Sequence, residues 1–248
     1  MNDYDFKQVN NPETVQKLVR VIDASSKTKR MVRGIIADFG MILDHHFCYC
    51  DRDPQQNQNV YVSRHSRNIL RFIPLCRSQF VCGEVAETLL SCSGMKLGGH
   101  KILTPETSGG YFLGLAVSRL IKAGNLDHIT IRMNEIERIV VENRDQRFLD
   151  GTIIFGNEVV VINDVDRTGS TLERLIKIIR QFKGEVNKVL VFATWNYEDF
   201  RKRMAALGVM GQALIEFRAK SWIKEDCPEC RQNNRDEYRE LIPASEMS

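Results

Sequence analysis

Long apolar runs are missing from this chain, and so is any strong excess of charge. No uninterrupted apolar stretch approaches the ~20 residues that a helix needs to cross a bilayer, which argues against a membrane-spanning protein. Asp3 and Asp5 open the sequence with no apolar h-region behind them, so no secretory signal is expected and a cytoplasmic protein is predicted. The net charge of +3 is too small to argue for a nucleic-acid partner. Cysteine is scarce, odd in number and irregularly spaced. Seven such residues in a chain of 248 read as reduced thiols or metal ligands, not as a disulfide framework. Repeats and low-complexity segments are also lacking. What remains is a chain with 43% apolar content, enough to bury the core of one α/β unit with additions.

The densest signal is Val159 to Glu173, VVVINDVDRTGSTLE. Four β-branched apolar residues, Val159 to Ile162, predict a strand buried on both faces of a parallel sheet. Leu172, Leu175, Ile176, Ile179 and Phe182 then recur at helical spacing, and Gly184 stands where a C-terminal cap belongs. The polar turn between them therefore joins a strand to a helix N-terminus. Unpaired N–H groups and a partial positive charge make such a turn a phosphate site, here offered by Thr168, Gly169, Ser170 and Thr171. Ahead of it, Asn163 and Asp164 are placed at a strand end to accept hydrogen bonds from a ribose diol. A phosphate and a diol at this separation suggest ribose 5-phosphate.

This segment resembles the phosphoribosyl-diphosphate (PRPP) binding motif of the type I phosphoribosyltransferases. Val159 to Ile162 match the strand of that motif, Asp164 its second acidic position, Val165 its hydrophobic one and Thr168 to Thr171 its loop. Asn163 departs from the usual first acidic residue: an amide still accepts from a ribose hydroxyl but carries no charge toward a Mg²⁺-bound substrate. The resemblance implies a Rossmann-like parallel sheet, PRPP with Mg²⁺, transfer of ribose 5-phosphate to a nitrogenous base with release of pyrophosphate, and a homodimer. It also implies that Thr107, Ser108, Gly109 and Gly110 of the PETSGG turn after Lys101 to Thr104 face the diphosphate. A flexible loop, here Met133 to Asp150, is implied to close over the site with cations. Arg132 and Arg144, with Arg138 and Arg147, are its candidates, guanidinium groups being suited to bidentate phosphate contacts. On this reading the catalytic set is Asp164, Arg132 and Arg144.

Cys227-Pro228-Glu229-Cys230-Arg231 is similar to the CPLCR tail of many orotate phosphoribosyltransferases. Those relatives carry an Asp-Arg pair after the next strand, where Thr194 and Trp195 stand here. Without an Arg for the carboxylate, orotate is not the expected base, and Trp195 suits stacking on another one. Two further readings stay open. A non-catalytic PRPP or nucleotide sensor fits Asn163 and the absence of lysine from residues 133–150. Asp164 to Thr168 also fits the DxDxT opening of haloacid-dehalogenase phosphatases, although that motif belongs near a chain's start and needs a later Asp pair.

The whole is expected to divide into an N-terminal helical or mixed, hood-like region (1–100), a phosphoribosyltransferase core (101–220) and a CPEC tail (221–248). In the first part Asn11 caps a helix begun by Pro12, with Val15, Leu18, Val19 and Ile22 as its stripe. Cys48, Cys50, Cys227 and Cys230 together would supply four thiolates, enough for a structural Zn²⁺ joining both ends of the chain. Unliganded cysteines are the alternative. His65, His100 and His128 are isolated in sequence and are expected to be structural or exposed.

Overall fold

The computed structural model describes residues 7–52, 61–72, 75, 78–94, 100–105, 108–121, 128–131, 158–231 and 239–241. Its first half contains β1 (Lys7–Gln8), α1 (Pro12–Leu18), β2 (Val19–Val21), α2 (Ser26–Asp38), β3 (Ile42–Arg52), β4 (Tyr61–Leu70) and α3 (Gln79–Ser93). There follow β5 (Lys101–Pro105), α4 (Ser108–Leu120), β6 (His128–Ile131), β7 (Glu158–Asp166), α5 (Ser170–Gln181), β8 (Glu185–Thr194), α6 (Tyr197–Ala206) and β9 (Met210–Phe217). The C-terminal part adds β10 (Ser221–Ile223), a 3₁₀ turn (Lys224–Asp226), α7 (Pro228–Arg231) and β11 (Arg239–Leu241).

The central sheet runs β2-β9-β8-β7-β5-β6. Its five strands from β9 to β6 are parallel, and β2 closes one edge antiparallel to β9, with Val19 opposite Phe217. This is the predicted Rossmann-like architecture. β7 shows why the sequence makes it. Val159 and Val161 bury into an apolar layer with Leu172, Leu175, Ile176 and Ile179 of α5. Val160 and Ile162 bury on the opposite face, with Leu113 and Val117 of α4 and residues of α3. Period-two alternation thus feeds two cores at once, which explains an unbroken apolar run. Each side chain so buried contributes roughly 1.5–3 kcal/mol.

Two local expectations change. The helix begun at Pro12 ends at Leu18 instead of running to Ile22, because Val19 and Val21 bury as alternate residues of an edge strand. Four residues at helical spacing cannot outweigh a waiting sheet edge. At the end of α5 the left-handed residue is Lys183 (φ 59°), not Gly184, while the Gly184 N–H still closes the helix on the Ile179 carbonyl.

A second sheet, β1-β3-β4-β10, is antiparallel, with β11 added parallel to β3. It draws strands from both ends of the sequence. At one level the pairings set Glu240, Cys48, His65 and Trp222 side by side across β11, β3, β4 and β10. Phe72, just past β4, meets Phe192 of β8 edge-on at 5.0 Å, joining this sheet's end to the main core.

Candidate active site at the switch point of the sheet

From β5 the chain moves outward to β6, then returns to the other side of β5 as β7 and continues to β8 and β9. The direction of winding therefore reverses between β5 and β7. In open α/β sheets ligands bind beyond the carboxyl ends of strands at such a point, and here those ends lead into the PETSGG and DVDRTGST segments.

The two segments touch. Gly109 and Gly110 are buried in the first turn of α4, which begins at Ser108, so the small residues expected in a loop are already helical. A Cβ at Gly109 would overlap the carboxylate of Asp164. Glycine at 109 is thus what lets the helix N-terminus approach the acid at the end of β7. Asp164 is half-buried.

β7 extends four residues beyond Ile162, with Val165 opposite Ala193 and Asp166 opposite Thr194. The turn that follows is organised by Asp166, a residue without a role in the motif reading. Its side chain is 3% exposed, its Oδ1 accepts from the Gly169 N–H at 2.9 Å, and its Oδ2 lies 3.5 Å from Nη2 of Arg203 on α6. Burial pushes its carboxyl up to about 6, against the opposing pull of Arg203, the Gly169 amide and Arg167. The Asp-x-x-Gly spacing was a readable signal for this turn. Nothing local in the sequence marks Arg203.

Gly169 occupies the N-cap of α5 with φ 78° and offers no side-chain acceptor to the helix's first amides. That leaves the end suited to an anion. A Cβ there would stand 2.5 Å from Nε of Arg203, so a larger residue would have to displace that side chain as well as adopt the left-handed angle. Thr168 and Thr171 flank it, each half-buried, and Ser170 opens the helix.

Asn163 is 5% exposed; its Nδ2 donates to the Val165 carbonyl at 3.1 Å, and its buried Oδ1 has no hydrogen-bond partner among the described residues. Thr194 Oγ1 and Trp195 Nε1, at the end of neighbouring β8, are in the same condition. Orphaned buried polar atoms are costly and gather where a ligand completes the set. The Trp195 indole stands edge-on to Phe217 at 4.9 Å, and its amide donates to the Asp166 carbonyl at 3.3 Å. Thr107, Arg132 and Arg144 lie outside the described residues, as do Arg138 and Arg147.

The cysteine expectation divides. Cys227 and Cys230 come together, and the third member of their cluster is His65, whose ligand atoms lie with theirs within 4.8 Å of one another. His65 is fully buried on β4, the structural one of the two places expected of it. Cys48 and Cys50 have backbone places in β3, Cys48 opposite His65, and their side chains lie outside the described residues.

No protein-family model matches the chain. It is similar to the adenine phosphoribosyltransferase of Sinorhizobium medicae (strain WSM419), at 28% identity over 117 residues, covering 44% of this chain and 63% of that protein. The orotate phosphoribosyltransferase of Caldanaerobacter subterraneus subsp. tengcongensis is 30% identical over 79 residues, 31% of this chain and 38% of the other. The chain therefore spans less than two thirds of the length of each of these two curated relatives. In fold it resembles the orotate phosphoribosyltransferase from Aeropyrum pernix, with a TM-score of 0.51 and 16% identity over 73% of this chain and 90% of that one. In part of its sequence and in its fold, the chain is thus similar to the type I phosphoribosyltransferases.

Proposed function

We infer that the protein is a phosphoribosyltransferase that moves ribose 5-phosphate from PRPP to a nitrogenous base. The bond between ribose C1 and the diphosphate oxygen breaks, a ring nitrogen of the base bonds to C1, the nitrogen's proton departs, and pyrophosphate leaves. The observation that supports this reading is the close approach of the Asp164 carboxylate to Gly109 at the N-terminus of α4, where a diol acceptor and a diphosphate site would meet.

In this scheme the amides and hydroxyls of Thr168 to Thr171 hold the 5-phosphate, with Asp166 fixing the turn. Asn163 and Asp164 take the ribose diol. Ser108, Gly109 and Gly110, with Thr107, receive the diphosphate, and Arg132 and Arg144 bring charge to it. Catalysis then rests on positioning and charge stabilisation, without a protein nucleophile. The donor set fits Mg²⁺, which ordinarily takes one or two carboxylates together with substrate phosphates, and Asp164 supplies one. Bound there, the ion would neutralise charge on the departing diphosphate. Thr194 and Trp195 at the β8 end direct the choice of base away from orotate. We read the enzyme as cytoplasmic and homodimeric, without nucleic-acid or membrane partners; among the described residues no helix is long and apolar enough to cross a membrane.

The inward turn of Asn163 favours a second reading, a PRPP-binding regulator without turnover, since its Nδ2 is committed to Val165. Base-dependent pyrophosphate release from PRPP and Mg²⁺, measured across purine and pyrimidine bases, separates the two. Turnover with a base other than orotate supports the enzyme. PRPP binding with no release for any base supports the regulator.

A further inference from the structure

The second sheet carries a constellation that phosphoribosyl transfer does not use. His65 sits in mid-strand on β4, and Trp222 of β10 pairs with it from one side. After β10 the 3₁₀ turn Lys224–Asp226 brings the chain back over the strand, and Cys227, just before α7, accepts through its carbonyl from the Arg231 N–H at 3.1 Å. The reversal is held firmly. Arg231 donates to the Glu225 carbonyl at 3.1 Å and to Asp226 Oδ1 at 2.8 Å, while Ser66 Oγ donates to the Lys220 carbonyl at 3.1 Å. These contacts place two sulfurs against the imidazole. Cys230 Sγ is 3.3 Å from His65 Nδ1, and the Cys227 sulfur completes the triangle within 4.8 Å.

We propose that His65, Cys227 and Cys230 bind a structural Zn²⁺ that clasps the C-terminal tail to the second sheet. Zn–S and Zn–N bonds of about 2.3 and 2.0–2.1 Å put tetrahedral ligand atoms roughly 3.5–3.8 Å apart, so the observed triangle needs only small side-chain adjustments. The donor chemistry is also right, two soft thiolates and an imidazole in a site where His65 and Cys227 are fully buried. Structural zinc is closed by a fourth ligand. The β3–β4 register sets the backbone of Cys48 directly opposite His65, so Cys48 is the fourth position put to the test. A catalytic role is not part of it: the reversed turn is fixed by Arg231 and Ser66, and what the ion would add is cross-linking of three distant segments.

The experiment uses the full chain purified without chelator. Elemental analysis is expected to find one zinc per chain, retained in Cys92→Ser and lost in Cys230→Ser, Cys48→Ser and His65→Asn. Stripping the metal should lower the melting temperature and restoring zinc should recover it. Because those variants can fail to fold, the native protein is also stripped and titrated with Co²⁺. Intense visible bands of tetrahedral cobalt with sulfur-to-metal charge transfer, saturating at one equivalent, support the site. A stripped protein with unchanged melting temperature and no cobalt spectrum overturns the proposal, as does a Cys227–Cys230 disulfide in the metal-free protein as purified. None of these readouts depends on PRPP binding, so failure here leaves the transferase reading standing.

Discussion

The two regions rich in chemistry are built in opposite ways. At the switch point, Asn163, Asp164, Asp166 and the Thr168–Thr171 turn follow one another along a single strand and its exit, with the PETSGG turn, the β8 end and Arg203 set around them. The clasp joins His65 to Cys230, 165 residues away, through pairings that exist only once the sheet has formed. A contiguous site can keep its shape as long as one strand–turn–helix unit is intact. A site assembled from chain ends depends on the whole sheet and, in return, stabilises it. Substitutions at Gly109 and Asp164 should therefore change binding with little effect on melting, substitutions in the clasp should do the reverse, and at the switch point only the turn residues Asp166 and Gly169 should register in stability.

The sharpest test of that contrast is Gly109→Ala. The added methyl would displace the Asp164 carboxylate while suiting the helical backbone around it. Affinity for PRPP, followed by calorimetry, should fall by roughly 100-fold, the scale of one or two hydrogen bonds to a charged group. The melting temperature should barely move. A large drop in melting temperature with affinity retained would erase the distinction.

A second test uses pH. Asp166 titrates near 6 when folded and near about 3.9 when unfolded, because burial penalises its charge more than Arg203 and the Gly169 amide favour it. The folded state therefore holds the proton more tightly. Stability from this group is fully present below about pH 4 and is lost as pH rises through about 6, an effect on the order of 3 kcal/mol. In Asp166→Asn, which keeps an acceptor for Gly169, urea denaturation across this window should show a flatter pH dependence than the native protein. Equal slopes in both would remove Asp166 as the cause.

Gly169→Ala comes next, with an expected loss of about 1–3 kcal/mol from the left-handed backbone and the approach to Arg203. The same denaturation experiment measures it, and an unperturbed midpoint would contradict the geometry. The smallest effect belongs to Lys183→Gly. Relieving a left-handed lysine at the end of α5 should add roughly 0.5–1 kcal/mol, visible as a raised denaturation midpoint.

Lys183 also shows how far local reading reaches. The strand–turn–helix unit from Val159 to Phe182 was legible because its signals, a β-branched run and then helical periodicity, act over neighbouring residues. Which residue of the pair Lys183-Gly184 takes the left-handed angle depends on a single hydrogen bond's register, and Gly184 was the natural expectation. The small residues of PETSGG were read as loop because glycine disfavours helix; contact with Asp164 makes glycine a requirement there, in a helix. Val19 and Ile22 fit a helical stripe until the edge of β9, where Val19 to Val21 pair as a strand, is considered. His65 was expected to be structural or exposed and is buried, but the company it keeps was not legible. Nothing beside it in the sequence signals a ligand, since its neighbours Cys227 and Cys230 arrive through the β4–β10 pairing, and Arg203 escaped notice for the same reason.

Calorimetric titration of the native protein and of Asp164→Ala with PRPP, with and without Mg²⁺, tests the central claim most directly. The account predicts binding that is strengthened by Mg²⁺ and abolished in the variant, with the variant's fold intact. No heat of binding in the native protein, or equal affinity in Asp164→Ala, would contradict a PRPP site at the switch point.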